Sequence, residues 1–403
     1  MAASDYFSQV AARLDRPERL ETARRAGRKT IALVGMAVPE ELFWACDAVP
    51  ISLGRFVSVG QVANLSYLPR DVCAAARTAF DLLANRWIPA GLVDAVVVAA
   101  GCDWIARLTD RIAGAAPVWP LNVSRAVGPM SRGPARGNAR PATSAARLGS
   151  LEYMLRSLDL LTDLPLTRRA FEAAHRRALA LDALCHKLDR SRCESPPRLL
   201  ASDYYRIVGA LDLADPDRWA AEVSALVGTP HSAFNSLSTQ HSALNTSHSA
   251  LRIVLSGCPT GFPDPSLIEL IEQAGFQIVG EDSRAHRGSA NRTTLPRGGR
   301  RALLEWAAET LAIGEEETDV RMVRAASDGG PDTSRRADAV LRIHYRGCAV
   351  SAMEETRNRS RPAAQDLPIL TIEIEQPSFA SEALRTRLEA FREQLSAAQA
   401  MPG

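Results

Sequence analysis

Seven cysteines, at positions 46, 73, 102, 185, 193, 258 and 348, are the residues of this 403-residue chain best equipped for chemistry. No two form a Cys-x-x-Cys pair, so a zinc ribbon or a thioredoxin-like centre has no support. Three stand out by their surroundings. Cys102 follows Gly101 behind the apolar run 95–100, and Cys348 follows Gly347 behind the run 337–345. A glycine there lets the backbone turn sharply and approach a bound group closely. Cys73 closes the stretch Leu68-Pro69-Arg70-Asp71-Val72-Cys73, at the start of a helical pattern. A helix N-terminus favours thiolate, the form that binds metal. Three thiolates from different elements suit a [4Fe–4S] cluster with one iron left open. The competing reading is plain: free cysteine is among the most buried residues, and any one of these could be core. Cys258, in Ser256-Gly257-Cys258-Pro259, also follows an apolar run and is a candidate fourth ligand. Cys46 falls on the apolar side of a helix and reads as core. Cys185 and Cys193 lie in a helical stretch and read as inert.

The elements that must position these thiols alternate. Residues 30–34 read as a strand ended by Gly35, and Pro39-Glu40-Glu41 opens a helix with Leu42, Phe43 and Cys46 on its apolar side. Strands follow at 49–53, 95–100 and 118–123, with a helix at 72–87 between the first two of these. Residues 126–147, rich in Gly, Pro, Arg and Ser, read as a loop. Helical spacing runs from 151 to about 188, through Leu155, Leu158, Leu161, Phe171, Ala174, Ala178 and Leu181, and again over 204–227. A second alternating unit has strands at 252–256, 276–280, 337–345 and 369–374, and helices at 265–274, 300–311 and 382–395. The expected fold class is α/β, with two Rossmann- or flavodoxin-like parallel-sheet domains joined by a helical connector. The expected boundaries are 1–150, 151–250 and 251–403. In such sheets ligands bind beyond the carboxyl ends of the strands, where Cys102 and Cys348 fall.

Composition narrows the class further. The chain is 46% hydrophobic and 23% charged, with 48 basic against 46 acidic residues and a net charge of +2. That balance argues against nucleic acid as a partner. No apolar run reaches membrane-spanning length, and residues 1–30 lack the apolar core of a secretory signal. A cytoplasmic protein without disulfides is expected. The His-Ser-Ala repeat within 231–250 reads as a polar linker rather than a histidine metal tract. Arg284, His286 and Arg287 form a small basic cluster after a strand end. Arg284 and Arg287 are candidates for binding the phosphates of a phosphate-bearing ligand, against the reading of a solvated loop.

Taken in order, several short segments carry a resemblance. They are Pro39-Glu40-Glu41-Leu42 with Ala48-Val49-Pro50, then Leu68-Pro69 through Cys73, Cys102-Asp103, and Ser256-Gly257-Cys258-Pro259. Gly280-Glu281-Asp282, Cys348 and Thr386-Arg387-Leu388-Glu389-Ala390-Phe391 complete the series. The chain thereby resembles the 2-hydroxyacyl-CoA dehydratase family, which includes benzoyl-CoA reductase subunits and double-cubane-cluster proteins, over roughly residues 28–396. The resemblance implies that Cys73, Cys102 and Cys348 hold a [4Fe–4S] cluster. It also implies one-electron ketyl-radical chemistry on an acyl-CoA thioester, whether as a lyase or as an oxidoreductase. Its implied partners are a homologous second subunit or a second copy, and a separate ATP-hydrolysing iron–sulfur activator. A non-catalytic electron-transfer or scaffold subunit, or a double-cubane-type reductase, is the alternative. The apolar stretch Met36-Ala37-Val38 and the absence of a carboxylate in 61–64 favour a chain that does not turn over substrate alone.

Overall fold

The apolar runs that read as strands build two parallel four-stranded sheets of the same order. A computed structural model describes residues 3–35, 38–54, 68–69, 72–99, 102–122, 139–228, 250–258, 260–283, 294–316, 336–348, 367–375 and 381–400. The first sheet contains β1 (Thr30–Gly35), β2 (Val49–Ser52), β3 (Ala95–Ala99) and β4 (Val118–Leu121), arranged β2-β1-β3-β4. The second contains β5 (Leu251–Gly257), β6 (Phe276–Ser283), β7 (Ala339–Tyr345) and β8 (Ile369–Ile374), arranged β6-β5-β7-β8. All pairings are parallel. Parallel sheets need cover on both faces, which is why β3 and β7 are buried along their whole length. In each sheet the chain order reverses between the first and third strands, β1 and β3 or β5 and β7. This is where α/β proteins open a crevice.

The helices are α1 (Ala3–Ala12), α2 (Glu18–Arg25), α3 (Glu41–Trp44), α4 (Ala74–Phe80), α5 (Asp103–Ile112), α6 (Ala139–Thr162), α7 (Arg168–Cys193), α8 (Ala201–Leu213), α9 (Pro216–Val227), α10 (Ser266–Gln273), α11 (Arg300–Glu316) and α12 (Glu382–Ala400). On one face of the first sheet, Ile31, Leu33, Val97 and Ala99 pack with Leu151, Leu155 and Leu158 of α6 and with Leu303 and Ala307 of α11. A helix from the C-terminal third of the chain thus covers the N-terminal sheet. The opposite face joins one continuous core with the second sheet. Ala32, Val34, Val96 and Val98 meet Ile253, Leu255, Leu341 and Ile343 through Tyr204, Ile207 and Leu211 of α8. Every residue of α8 except Arg206 is buried, as its place between the sheets requires. Arg206 reaches Asp203 at 2.6 Å and Glu269 at 3.3 Å.

One sequence expectation needs correction, and two helical stretches gain detail. The loop expected over 126–147 gives way to α6 from Ala139, because an alanine-rich run there outweighs Pro141, which a first turn tolerates. The helical stretch expected over 151–188 is made of two helices, α6 and α7. Asp163 takes a positive φ of 57° and Pro165 follows it; the Thr167 side chain then accepts from Ala170 N as the cap of α7. The stretch 204–227 is likewise split into α8 and α9. Pro216 starts α9, with the Asp215 carboxylate accepting from the N–H groups of Asp217 and Arg218.

Candidate metal centre

Each of the three singled-out cysteines sits at the mouth of a strand or helix. Cys102 is the N-cap residue of α5, in extended conformation with φ −150°, and its carbonyl accepts from Ala106 N at 3.1 Å. Cys73 is the N-cap residue of α4, with φ −63° and ψ 154°, and its carbonyl accepts from Arg77 N at 3.0 Å. Cys348 lies beyond β7. Gly347, with φ 78°, makes the turn, and Cys348 N donates to Tyr345 O at 3.0 Å. Cys102 and Cys348 therefore follow the third-placed strand of their respective sheets, as the alternation of the sequence implied.

The fold brings the Cys73 and Cys348 thiols into contact, with Cys102 near enough to feel the charge of Cys348. The Cys73 thiol is hydrogen-bonded to that of Cys348, and this contact, then burial, pushes it far above the ordinary range. Repulsion from Cys348 and Cys102 adds to the rise, and the Ala76 N–H opposes it. Cys102 is also raised, chiefly by burial, with Cys348 and Asp103 adding to it. Its counterweights are the N–H groups of Ile105 and Trp104 at the start of α5. A metal bound here would have to displace the thiol protons that these raised pKa values favour. Among the described residues, no group of three or more His, Cys, Asp or Glu side chains is arranged to hold a metal ion. A cubane is a larger body than an ion and spreads its thiolate ligands further apart. Three soft sulfur donors at two helix N-termini and a glycine turn are a donor set that fits iron–sulfide rather than a hard cation.

Cys258 is close by but differently engaged. It is 5% exposed, its N–H donates to Ile343 O at 2.9 Å, and its sulfur accepts the Tyr345 N–H at 3.4 Å. Tyr345 was missed from the sequence, where it reads as one more core residue of a strand. Its buried hydroxyl titrates far above the ordinary range, first because of burial and then because Cys258, Cys73 and Cys348 surround it. A second feature without a sequence signal is the π-helical segment Asp81–Trp87 that continues α4. Windings of this kind recur at functional sites.

The other cysteines stay apart. Cys46 is fully buried among Leu42, Phe43 and Ala48, and burial pushes its thiol up to about 12. Cys193 is buried and its thiol donates to Val279 O at 3.0 Å, while Cys185 packs on the edge of the core. Arg284, His286, Arg287, the 61–64 stretch and residues 229–249 of the His-Ser-Ala region lie outside the described residues.

Two four-stranded parallel sheets with helices packed on their faces define a class: α/β proteins built from two parallel-sheet units. The chain belongs to the 2-hydroxyglutaryl-CoA dehydratase, D-component family, whose pattern matches residues 36–395. Among curated proteins no match to the chain is found. No helix among the described residues is long and apolar enough to cross a membrane.

Proposed function

We propose that this chain is the [4Fe–4S] subunit of a 2-hydroxyacyl-CoA dehydratase or a benzoyl-CoA reductase-like enzyme in the cytoplasm. Family membership makes it a dehydratase component, and the D-component type implies a partner subunit. The observation that carries the finer reading is the contact of the Cys73 and Cys348 thiols with Cys102 beside them. Cys73, Cys102 and Cys348 would hold the cluster, with Cys258 as the nearest candidate for a fourth ligand. When bound, such a cluster supplies a single low-potential electron, which on an acyl-CoA thioester gives a ketyl radical anion able to expel a hydroxyl group.

The chain's own residues prepare that site. The N–H groups at the starts of α4 and α5 lower the cost of thiolate at Cys73 and Cys102. Tyr345 and the surrounding core shield Cys73 from water, while Cys102 and Cys348 are only half-buried. The Tyr345 N–H, bonded to Cys258 Sγ, holds that sulfur in place.

A second reading keeps the metal but not the turnover. Residues 36–38 are apolar and 61–64 contain no carboxylate, which suits an electron-transferring or scaffold subunit beside a catalytic homologue. An ATP-hydrolysing activator and a homologous subunit are the proposed partners, since the chain contains no GxxxxGK[ST] motif of its own. The test is anaerobic purification with iron and sulfide analysis. It is followed by reconstitution of the chain alone, with a homologous subunit, and with both plus activator, ATP and a strong reductant. An iron-free, colourless protein would end the cluster reading. Acyl-CoA binding by the iron-loaded chain alone would favour the catalytic reading over the scaffold one.

A further inference from the structure

The amino end of the first sheet carries a cavity that the thiol cluster does not use. Its volume is about 50 Å³, room for a few waters or one small solute. Val49, the first residue of β2, and Arg28, two residues ahead of β1, line it. Cys102 follows the carboxyl end of β3, and the strands are parallel, so the cavity lies at the opposite end of that sheet. Its other walls come from α2, α3, α7 and the start of α9. Every lining residue, with its neighbours along the chain, is among the described residues.

Three arginines line the cavity, Arg19, Arg28 and Arg177, against a single acid, Asp215. The Asp215 carboxylate is already engaged, accepting from the N–H groups of Asp217 and Arg218 at 3.1 Å each. Arg28 meets Asp47 and Arg177 meets Asp217, but these carboxylates are 59% and 78% exposed. Such pairs contribute little and give way to a better-placed anion. Arg19 has the more buried partner, Glu40. Arg177 carries the most direct signal. Its Nε is buried and has no hydrogen-bond partner, while the guanidinium lies over the Trp44 ring at 5.2 Å. A buried N–H that finds no acceptor costs free energy. Arg19 lies over the same ring at 5.8 Å, so Trp44 holds two cations at the cavity wall. The wall formed by Ala23, Ala26 and Val49 is apolar. Cationic donors on one part and apolar surface on the rest suit an ion with one charged and one apolar end.

We propose that this cavity binds a small carboxylate, its charge held by Arg177 and Arg28 and its short hydrocarbon end set against Ala23, Ala26 and Val49. A turn of the Arg177 guanidinium on its stack over Trp44 would give the Nε–H to the anion, and the charge of the donors strengthens that bond. The bound ion would bridge α7 to the start of the first sheet, tying the helical connector to the N-terminal unit. The site does not depend on the thiol cluster, so it stands or falls separately from the proposed iron chemistry.

The experiment measures thermal unfolding and calorimetric binding of the full chain at constant ionic strength, with acetate, propionate, inorganic phosphate and chloride as probes. Acetate and propionate should raise the unfolding temperature saturably, propionate binding at least as tightly as acetate. Phosphate should bind more weakly than either, and chloride should give no saturable rise. Arg177→Met should remove the carboxylate response. Arg177→Lys should retain binding with an affinity lower by roughly tenfold, having kept the charge and lost the fork. Ala26 is an exposed residue at the end of α2, so Ala26→Leu fills the cavity without altering any charge. It should leave the ligand-free unfolding temperature near that of the parent and remove the response as well. The proposal is overturned by the absence of a saturable response to both carboxylates, or by an equal response to chloride. It is also overturned by phosphate binding as tightly as propionate or more so, or by an unchanged carboxylate response in either Arg177→Met or Ala26→Leu.

Discussion

Gly257 approaches the carbonyl of Ile343 so closely that a β-carbon on the glycine would come within 2.2 Å of the oxygen. The relationship is repeated in the other sheet, where a β-carbon on Gly35 would meet the Ala99 carbonyl oxygen at 2.0 Å. Both glycines end the first strand of their sheet, both have φ near 100° (98° and 101°), and both lean on the third strand. The two halves of the molecule thus close their crevices with the same backbone device.

Alanine at either position should therefore be severe. Gly35→Ala and Gly257→Ala each combine a disfavoured φ with a clash against backbone that has nowhere to go, and a loss of more than about 3 kcal/mol is expected. Gly91→Ala is the control, since Gly91 also has a positive φ, 62°, but open space around it. It should cost only about 1 kcal/mol. Denaturant titration of the three variants gives the comparison, and similar losses in all three would show that the close approach is unimportant.

The ligand assignment makes a sharper demand. Cys73→Ala, Cys102→Ala and Cys348→Ala should each strip most of the iron from anaerobically purified protein, while Cys46→Ala, Cys185→Ala and Cys193→Ala should leave it unchanged. Full iron retention in the first three variants would remove those residues as ligands. Cys258→Ala decides whether the sulfur that receives the Tyr345 N–H also binds metal.

Glu272 predicts a pH dependence. Its carboxylate is buried and accepts from the N–H groups of Ala201 at 2.6 Å and Ser202 at 3.4 Å, at the start of α8. Burial raises its pKa from 4.5 to about 7 against the pull of those donors. The folded state then holds a proton that the unfolded state has lost between these two values. Stability from this group is complete below pH 4.5 and falls as pH rises toward 7, by up to roughly 3 kcal/mol. Glu272→Gln keeps an acceptor for the helix start and should flatten that part of the stability–pH curve. An unchanged slope would rule the group out.

Removing one half of a buried ion pair should be worse than removing an exposed one. Glu40 holds Arg19, whose side chain is fully buried and also donates to Leu211 O at 3.3 Å. Glu40→Ala should cost about 3–5 kcal/mol by stranding the guanidinium. Glu375→Ala, which releases an exposed Arg346 partner, should cost less than about 1 kcal/mol. Chemical denaturation of both variants checks the contrast.

Much of this architecture was legible in the sequence for a physical reason. The run at 95–99 is apolar and valine-rich over the length of a buried strand, and 339–345 places Leu341, Ile343 and Tyr345 at strand spacing. The glycines before Cys102 and Cys348 marked the strand ends. What escaped was long-range. Nothing near Leu303 or Ala307 tells that α11 crosses to cover the N-terminal sheet, because an amphipathic helix fits any apolar face. Glu40 read as a dipole-compensating acid at a helix start, yet its partner is Arg19 on another helix. Tyr345 reads as core and lies beside the thiols, since burial looks the same whatever the neighbours are.

The π-helical winding between Phe80 and Ile88 sets how the Cys73 end of its helix is clocked. At the far end Trp87 is pinned, its indole N–H donating to Leu14 O at 2.8 Å, and Asp81 is tied to Arg86 at 2.6 Å. A wider coil between a fixed anchor and a fixed cap acts as a phase-setter: each residue of an ordinary α-helix turns the chain by about 100°. Deleting one residue within 81–87 and letting the segment relax to α-helical pitch would swing the Cys73 sulfur to another side of the helix. No side chain at the thiol cluster would have been altered. The spacing between Cys73 and Trp87 is therefore as much a part of the site as the cysteine itself, and an insertion or deletion there would disarm it at a distance.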